Sequence, residues 1–251
     1  MGISRGNITT NIIKNGLVFN MDAANRASYP KTGTTVTDTI GNITGTILGT
    51  TPPPQWENTN GGTFSFDGVN DRISLGDFDS FSFGNGSTDT PFSLSVWVNM
   101  TDATKFRILN KAAGTQASSL KEYLFSTGGD DKMIFYLYQD NESSTRIGKK
   151  YNGAALTSYE GQWIYLVGTY DGSSNVNGIK IYLNGIRVDD LDVITGTYTA
   201  MQNTTSVLGL GVLAGSNYAE GKIANTQIYN RALSAKEVLF NYNGLKSRFG
   251  L

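Results

Sequence analysis

From Thr63 onward apolar and polar residues alternate with a period of two, the signature of a half-buried strand. The segments are Thr63–Phe66, Arg72–Leu75, Phe92–Met100, Phe106–Lys111, Glu122–Thr127, Lys132–Gln139, Thr145–Tyr151, Trp163–Tyr170, Gly178–Val188, Ser206–Leu213 and Gly221–Tyr229. Short strands punctuated by turn residues predict a sandwich of two sheets. Within Phe92–Asn99, the residues Phe92, Leu94, Val96 and Val98 fall on the face assigned to the core, so Trp97 points the other way, toward a second layer or a ligand. Asn184-Gly185 accepts the positive φ that a type I′ turn needs at both central positions and predicts a tight hairpin there.

Upstream the pattern weakens. Gly16–Asp22 reads as a strand, while 31–62 is rich in Thr, Gly, Asn and Pro and predicts long surface loops with one short strand near Thr44–Leu48. Ser234 and Glu237 form a capping box, which starts one helix over 235–243 with Val238, Leu239, Tyr242 and Leu245 as its apolar stripe. Residues 1–14 are polar apart from Ile3, Ile8, Ile12 and Ile13, an arm expected either to order on a neighbouring subunit or to fray. The organisation expected is an arm over 1–14, a sandwich over 15–233, and a helix and tail over 234–251 packed on it.

Composition narrows the chemistry. Only 16% of the 251 residues are charged and 30 are glycine, which favours strands and turns over exposed helices. A net charge of -1 gives no electrostatic reason to expect nucleic acid or anionic lipid as a partner. Without cysteine or histidine there are no disulfides, no thiolate nucleophiles and none of the commonest general base. The N-terminal residues lack the apolar stretch of a secretory signal, and no run approaches a membrane span, so the expectation is a product made in the cytoplasm without membrane insertion.

Two groups of residues carry candidate chemistry. The turn Asp67-Gly68-Val69-Asn70-Asp71 offers oxygens to a hard cation, which makes Asp67, Asn70 and Asp71 candidate ligands for Ca²⁺, the only cofactor expected. The competing reading is that these side chains satisfy backbone amides of their own turn. Tyr136 and Tyr138 share a face opposite Phe135 and Leu137, and with Trp97 they are the candidate rings for stacking on a sugar. The competing reading is that the tyrosines cover the second sheet or a subunit contact.

Three stretches then carry a family resemblance: Gly62–Ile73 followed by Phe92–Val98; Trp163–Gly172 leading to Ile181–Gly185; and Gly221–Val238. In this order and spacing they resemble the laminin G-like members of the concanavalin A-like lectin/glucanase superfamily. The resemblance implies an all-β, two-sheet antiparallel jelly-roll sandwich with one short C-terminal helix. The opening 15–30 is similar to domains frequent in structural proteins of tailed bacteriophages and in bacterial surface proteins. What it implies is a non-enzymatic virion protein, a capsid decoration or a tail or fibre appendage, present in many copies or as a homo-oligomer beside other virion proteins and adhering to host-surface glycans. The alternative is a secreted or surface bacterial lectin module. The family's usual acidic pair after Gly-x-Ile is here Ala224-Asn225, which weakens any metal site carried over to that strand. Glucanases of the superfamily use Glu-x-Asp-x-Glu, and no two of this chain's glutamates lie two apart, so no catalytic residue is assigned. A glycan-degrading enzyme with a carboxylate pair assembled from distant loops is the remaining alternative.

Overall fold

The computed structural model describes residues 12–41, 43–50, 53–112, 120–139, 145–213, 215 and 217–251. The alternating segments form two large antiparallel sheets. The first runs Ile186–Arg187, Ile179–Leu183, Trp163–Tyr170, Phe92–Met100, Glu220–Tyr229, Thr63–Asp67 and Gln55–Glu57. Its long strand Glu220–Tyr229 is shared lengthwise: 220–223 pair with Thr63–Asp67 and 225–229 with Leu17–Asp22. The second runs Leu191–Thr195, Arg146–Lys150, Met133–Tyr138, Lys121–Thr127, Arg107–Ala112, Leu208–Leu210, Arg72–Ser74, Thr44–Leu48 and Thr35–Thr37. This is the expected jelly-roll sandwich.

Period-two alternation places the core as read. Phe92, Leu94, Val96 and Val98 meet Phe125, Phe135 and Leu137 between the sheets. The hairpin turn has φ 51° at Asn184 and 84° at Gly185, both positive as the predicted turn requires.

The C-terminal helix, Ala235–Leu245, covers the outer face of the first sheet. Its capping box is formed: Ser234 Oγ accepts from the Glu237 amide at 3.4 Å, and Glu237 Oε2 accepts from the Ser234 amide at 2.9 Å. Val238 and Leu245 are buried beneath it, but Leu239 is exposed, a correction to the predicted stripe. The inward position is held instead by Asn241, fully buried, which accepts from the Ile13 amide at 2.8 Å and donates to the Tyr229 hydroxyl at 3.0 Å. The end of the expected arm, Ile12 and Ile13, therefore packs on its own chain; residues 1–11 lie outside the described residues.

Three short edge strands escape the periodic reading. Thr35–Thr37 and Gln55–Glu57 sit inside the predicted loop region, and Leu191–Thr195 has no buried residue and so no alternation to detect. The predicted strand Ser206–Leu213 breaks at Gly211, whose φ of 74° turns the chain so that Val212–Leu213 pairs with Asn217–Tyr218 as a separate ribbon. Among the described residues no helix is long and apolar enough to cross a membrane.

Candidate functional site

The helix covers the first sheet; on the outer face of the second sheet Thr46 is exposed, Ser74 and Tyr136 are half-buried, and Asn110, Leu124 and Tyr138 are buried. One of its cross-strand rows runs Thr46, Ser74, Gly209, Asn110, Leu124, Tyr136 and Gly148, each opposite the next. A strand interior without a side chain leaves a gap. At Gly209 the row dips into a cleft of about 370 Å³, lined by Arg72, Ser74, Asn110, Gly209, Val212 and Tyr218 among others. A Cβ at Gly209 would stand 2.8 Å from Val212 Cγ1, so glycine is what lets the ribbon wall approach the floor.

The lining is fixed by local bonds. Asn110 Oδ1 accepts from the Phe125 amide and the Ser126 hydroxyl, both at 2.9 Å, and its Nδ2 donates to the Val212 carbonyl at 3.0 Å, bolting the ribbon to the sheet. The Tyr218 hydroxyl donates to the Gly215 carbonyl at 2.8 Å. Arg72 donates from Nη1 to the Asn70 carbonyl at 3.1 Å and, among the described residues, forms no ion pair. Among the described residues no Asp, Glu or Lys lines the cleft.

Beside the cleft, Leu213 packs on a cluster of Leu124, Ile134, Tyr136 and Tyr138. Here the two tyrosines share a face as expected, yet they are not a bare platform. Tyr138 is 4% exposed, the Arg146 guanidinium lies 5.0 Å over the Tyr136 ring and 6.0 Å over Tyr138, and the Lys121 ammonium lies 5.4 Å over Tyr138. These cation–π contacts occupy the ring faces a sugar would use. Burial pushes the Tyr138 hydroxyl up, with Arg146 pulling it back. Arg107 on the same sheet is 7% exposed, and burial pulls its guanidinium down to about 10, partly countered by Tyr138. Its Nε has no partner, and Nη1 makes only a 3.4 Å bond to the Thr127 carbonyl.

Trp97 is not in this site. It is fully buried under the helix of the other sheet, stacked on Phe249 at 4.2 Å, Tyr165 at 5.1 Å and Tyr242 at 5.7 Å, so the layer it points to is protein.

The Asp67–Asp71 turn spends most of its oxygens on amides. Asp67 Oδ1 accepts from Val69 at 2.8 Å and Asn70 at 3.3 Å, Asn70 Oδ1 from Thr50 at 2.7 Å, and Asp71 Oδ2 from Asp67 at 3.1 Å. Asp71 Oδ1 is buried without a partner, and its carboxyl is pushed up to about 6, first by burial and then by Asp67. Among the described residues no three acidic side chains gather around one point.

The sequence reading missed the cleft residues. Arg72 and Ser74 are two apart and so share a face, and Gly209 interrupts a strand pattern, but nothing in the sequence tells that these strands become neighbours.

Comparison with known proteins agrees with this architecture. A sequence model described as the concanavalin A-like lectin/glucanases superfamily matches residues 67–239. No curated protein matches the sequence. Among solved structures, domain 4 of AbnA, an extracellular arabinanase of Geobacillus stearothermophilus in complex with arabinotriose, superposes with a TM-score of 0.61 at 18% identity over 90% of this chain and 98% of its own. The ligand binding domain of botulinum neurotoxin serotype D in complex with N-acetylneuraminic acid gives 0.61 at 14% identity over 91% of this chain. The type C neurotoxin structure whose cell entry depends on two ganglioside molecules gives 0.61 at 15% over 92%. The chain spans about half, 51%, of each neurotoxin structure.

Proposed function

The chain belongs to the concanavalin A-like lectin/glucanase superfamily, and from that premise we propose that it is a non-catalytic glycan-binding module that works through the cleft on the outer face of its second sheet. The observation that carries this reading is the cleft of about 370 Å³ floored by Gly209 and walled by polar groups of Arg72, Ser74 and Tyr218. That volume lies within the ~300–1,000 Å³ typical of small-molecule sites. The arabinotriose, sialic acid and ganglioside ligands of the similar structures support the same use of the fold. Among the described residues its lining lacks the two carboxylates that glycoside hydrolysis requires, which supports binding without turnover. The setting we propose is a virus particle, as a capsid decoration or tail appendage present in many copies, supported by the likeness of residues 15–30 to phage structural domains.

A glycan array read with the labelled protein tests the binding. Ser74→Trp, which fills the cleft from a strand residue facing it, should abolish any signal while leaving the melting temperature within about 3 °C, since a surface change usually costs little. An array signal that survives Ser74→Trp places the site elsewhere, and turnover of any bound glycan overturns the non-catalytic reading. Antibody detection of the protein in purified particles tests the setting, which absence from particles would refute.

A further inference from the structure

Three ionisable side chains meet behind the cleft, on the inner face of the same sheet. Lys111 is in register with Leu208 and Tyr123, both fully buried in the core, so it points between the sheets and its side chain is 0% exposed. Its ammonium lies 2.7 Å from Asp77 Oδ1, 3.2 Å from Glu122 Oε1 and 2.7 Å from the Ser206 carbonyl oxygen. Glu122 is buried just as completely. Its Oε1 also accepts from the Thr204 amide and hydroxyl, both at 2.9 Å, and from the Ser82 hydroxyl at 3.3 Å, whereas its Oε2 is buried with no partner among the described residues. Asp77 enters from the rim: it follows Gly76, whose φ of 78° turns the chain out of strand Arg72–Ser74, and its side chain is 36% exposed. One buried ammonium thus faces two carboxylates, and neutralising such charges in place removes a desolvation cost that a plain ion pair keeps. Burial pushes the Glu122 carboxyl up, with Lys111 and Thr204 pulling it back, so this acid can hold a proton beside the amine.

We infer that Lys111 and Asp77 condense into a side-chain amide, a covalent cross-link for which Glu122 carries the proton. The ammonium passes one proton to the Glu122 carboxylate. The lone pair so freed on Nζ attacks Cγ of Asp77, whose Oδ1 it already touches, and a C–N bond forms. One Asp77 oxygen then takes a second proton from Nζ and the proton held by Glu122, the C–O bond breaks, and water leaves through the exposed side of Asp77. The amide nitrogen keeps one hydrogen, Glu122 is a carboxylate again, and no oxidant, reductant or activated donor is consumed. Condensation of an acid with an amine is unfavourable between free molecules in water, but here fixed contact replaces a bimolecular encounter, and the product carries two charges fewer to desolvate. The bond spans strand Leu208–Leu210, which lies between Arg72–Ser74 and Arg107–Ala112, and joins residues 34 apart in sequence. It restricts the unfolded chain as a disulfide would, in a protein that has no cysteine.

Mass spectrometry of the purified full chain, denatured, tests this. Wild type should weigh one water less than its sequence, and trypsin should release residues 73–105 and 108–121 joined, with no cut after Lys111. Asp77→Ala, Lys111→Arg and Glu122→Gln should each keep the full mass, Glu122→Gln while retaining both reacting groups and nearly the same side-chain volume. Wild type at full mass after prolonged incubation at neutral pH overturns the inference and leaves the glycan reading standing. That measurement decides even where a variant fails to fold. A water lost equally by wild type and Asp77→Ala comes from ring closure elsewhere, as at Asp67-Gly68, and overturns the inference too. Complete water loss in Glu122→Gln, with the same two segments joined, removes Glu122 from the chemistry and overturns the mechanism.

Discussion

Replacing Trp97 by alanine separates a buried support from a sugar platform. Its ring is fully buried between the first sheet and the C-terminal segment and has Phe249, Tyr165 and Tyr242 stacked around it. Deleting a buried tryptophan removes its transfer free energy and leaves a cavity that the sheet can only partly close, together about 3–5 kcal/mol. For a chain of this length each kcal/mol moves the melting temperature by ~2–4 °C, so Trp97→Ala should melt roughly 6–20 °C below wild type. Trp97→Phe should lose much less. The indole Nε1 has no partner, so removing it relieves a desolvation cost of ~1–3 kcal/mol that offsets part of the lost packing. The assay is differential scanning fluorimetry of the three proteins beside a glycan-binding isotherm at 20 °C. Weakened melting with unchanged affinity fits the account. A Trp97→Ala protein that melts like wild type yet loses its glycan would refute it and return Trp97 to the binding site.

Other substitutions test the fold and its titrating groups. Gly185→Val puts a β-branched residue at φ 84° with its Cβ 2.9 Å from Leu239 Cδ1, and denaturant titration should show a loss of roughly 1–3 kcal/mol. Asp71 in the folded chain titrates near 6 against an ordinary 3.8, so folding favours its protonated form. That stabilisation is complete below the ordinary value and fades as pH rises through about 6. Asp71→Asn should therefore raise the melting temperature at pH 8 and give little gain at pH 4, and equal effects at both would refute the burial argument. Glu237 is held down to about 2 by Arg231, and its contribution is present above 4.5 and lost as pH falls through about 2. Melting of Glu237→Gln should thus lie below wild type at pH 7, the gap closing toward pH 2. Because the turn's oxygens are bonded to amides, melting curves in excess Ca²⁺ and in chelator should coincide, and a rise with Ca²⁺ would show a site.

The sandwich was legible because period-two alternation survives wherever one strand face is buried: Phe92–Met100 and Trp163–Tyr170 are bounded as read. The edge strands were not, since Leu191–Thr195 buries neither face and leaves no period. Trp97 shows the limit of alternation. It tells which residues face away from the core, but both Trp97 and Tyr136 do so, and only the packing around each decides that one is fully buried under the helix and the other half-buried on the second sheet. Asn241 was invisible for a related reason: a polar residue on a helix reads as solvent-facing until Ile13 and Tyr229 arrive to satisfy it. The cleft depends on Arg72, Asn110 and Gly209, which lie on three strands far apart in sequence and meet only through sheet register.

Backbone amide chemical-shift mapping of the isotopically labelled protein during titration with arabinotriose tests the central claim most directly. Binding at the cleft predicts saturable shifts that centre on Ser74, Asn110, Gly209 and Tyr218, with the Ala235–Leu245 helix and the Asp67–Asp71 turn left unmoved. Shifts centred on that helix or that turn, with the cleft amides silent, would contradict the account.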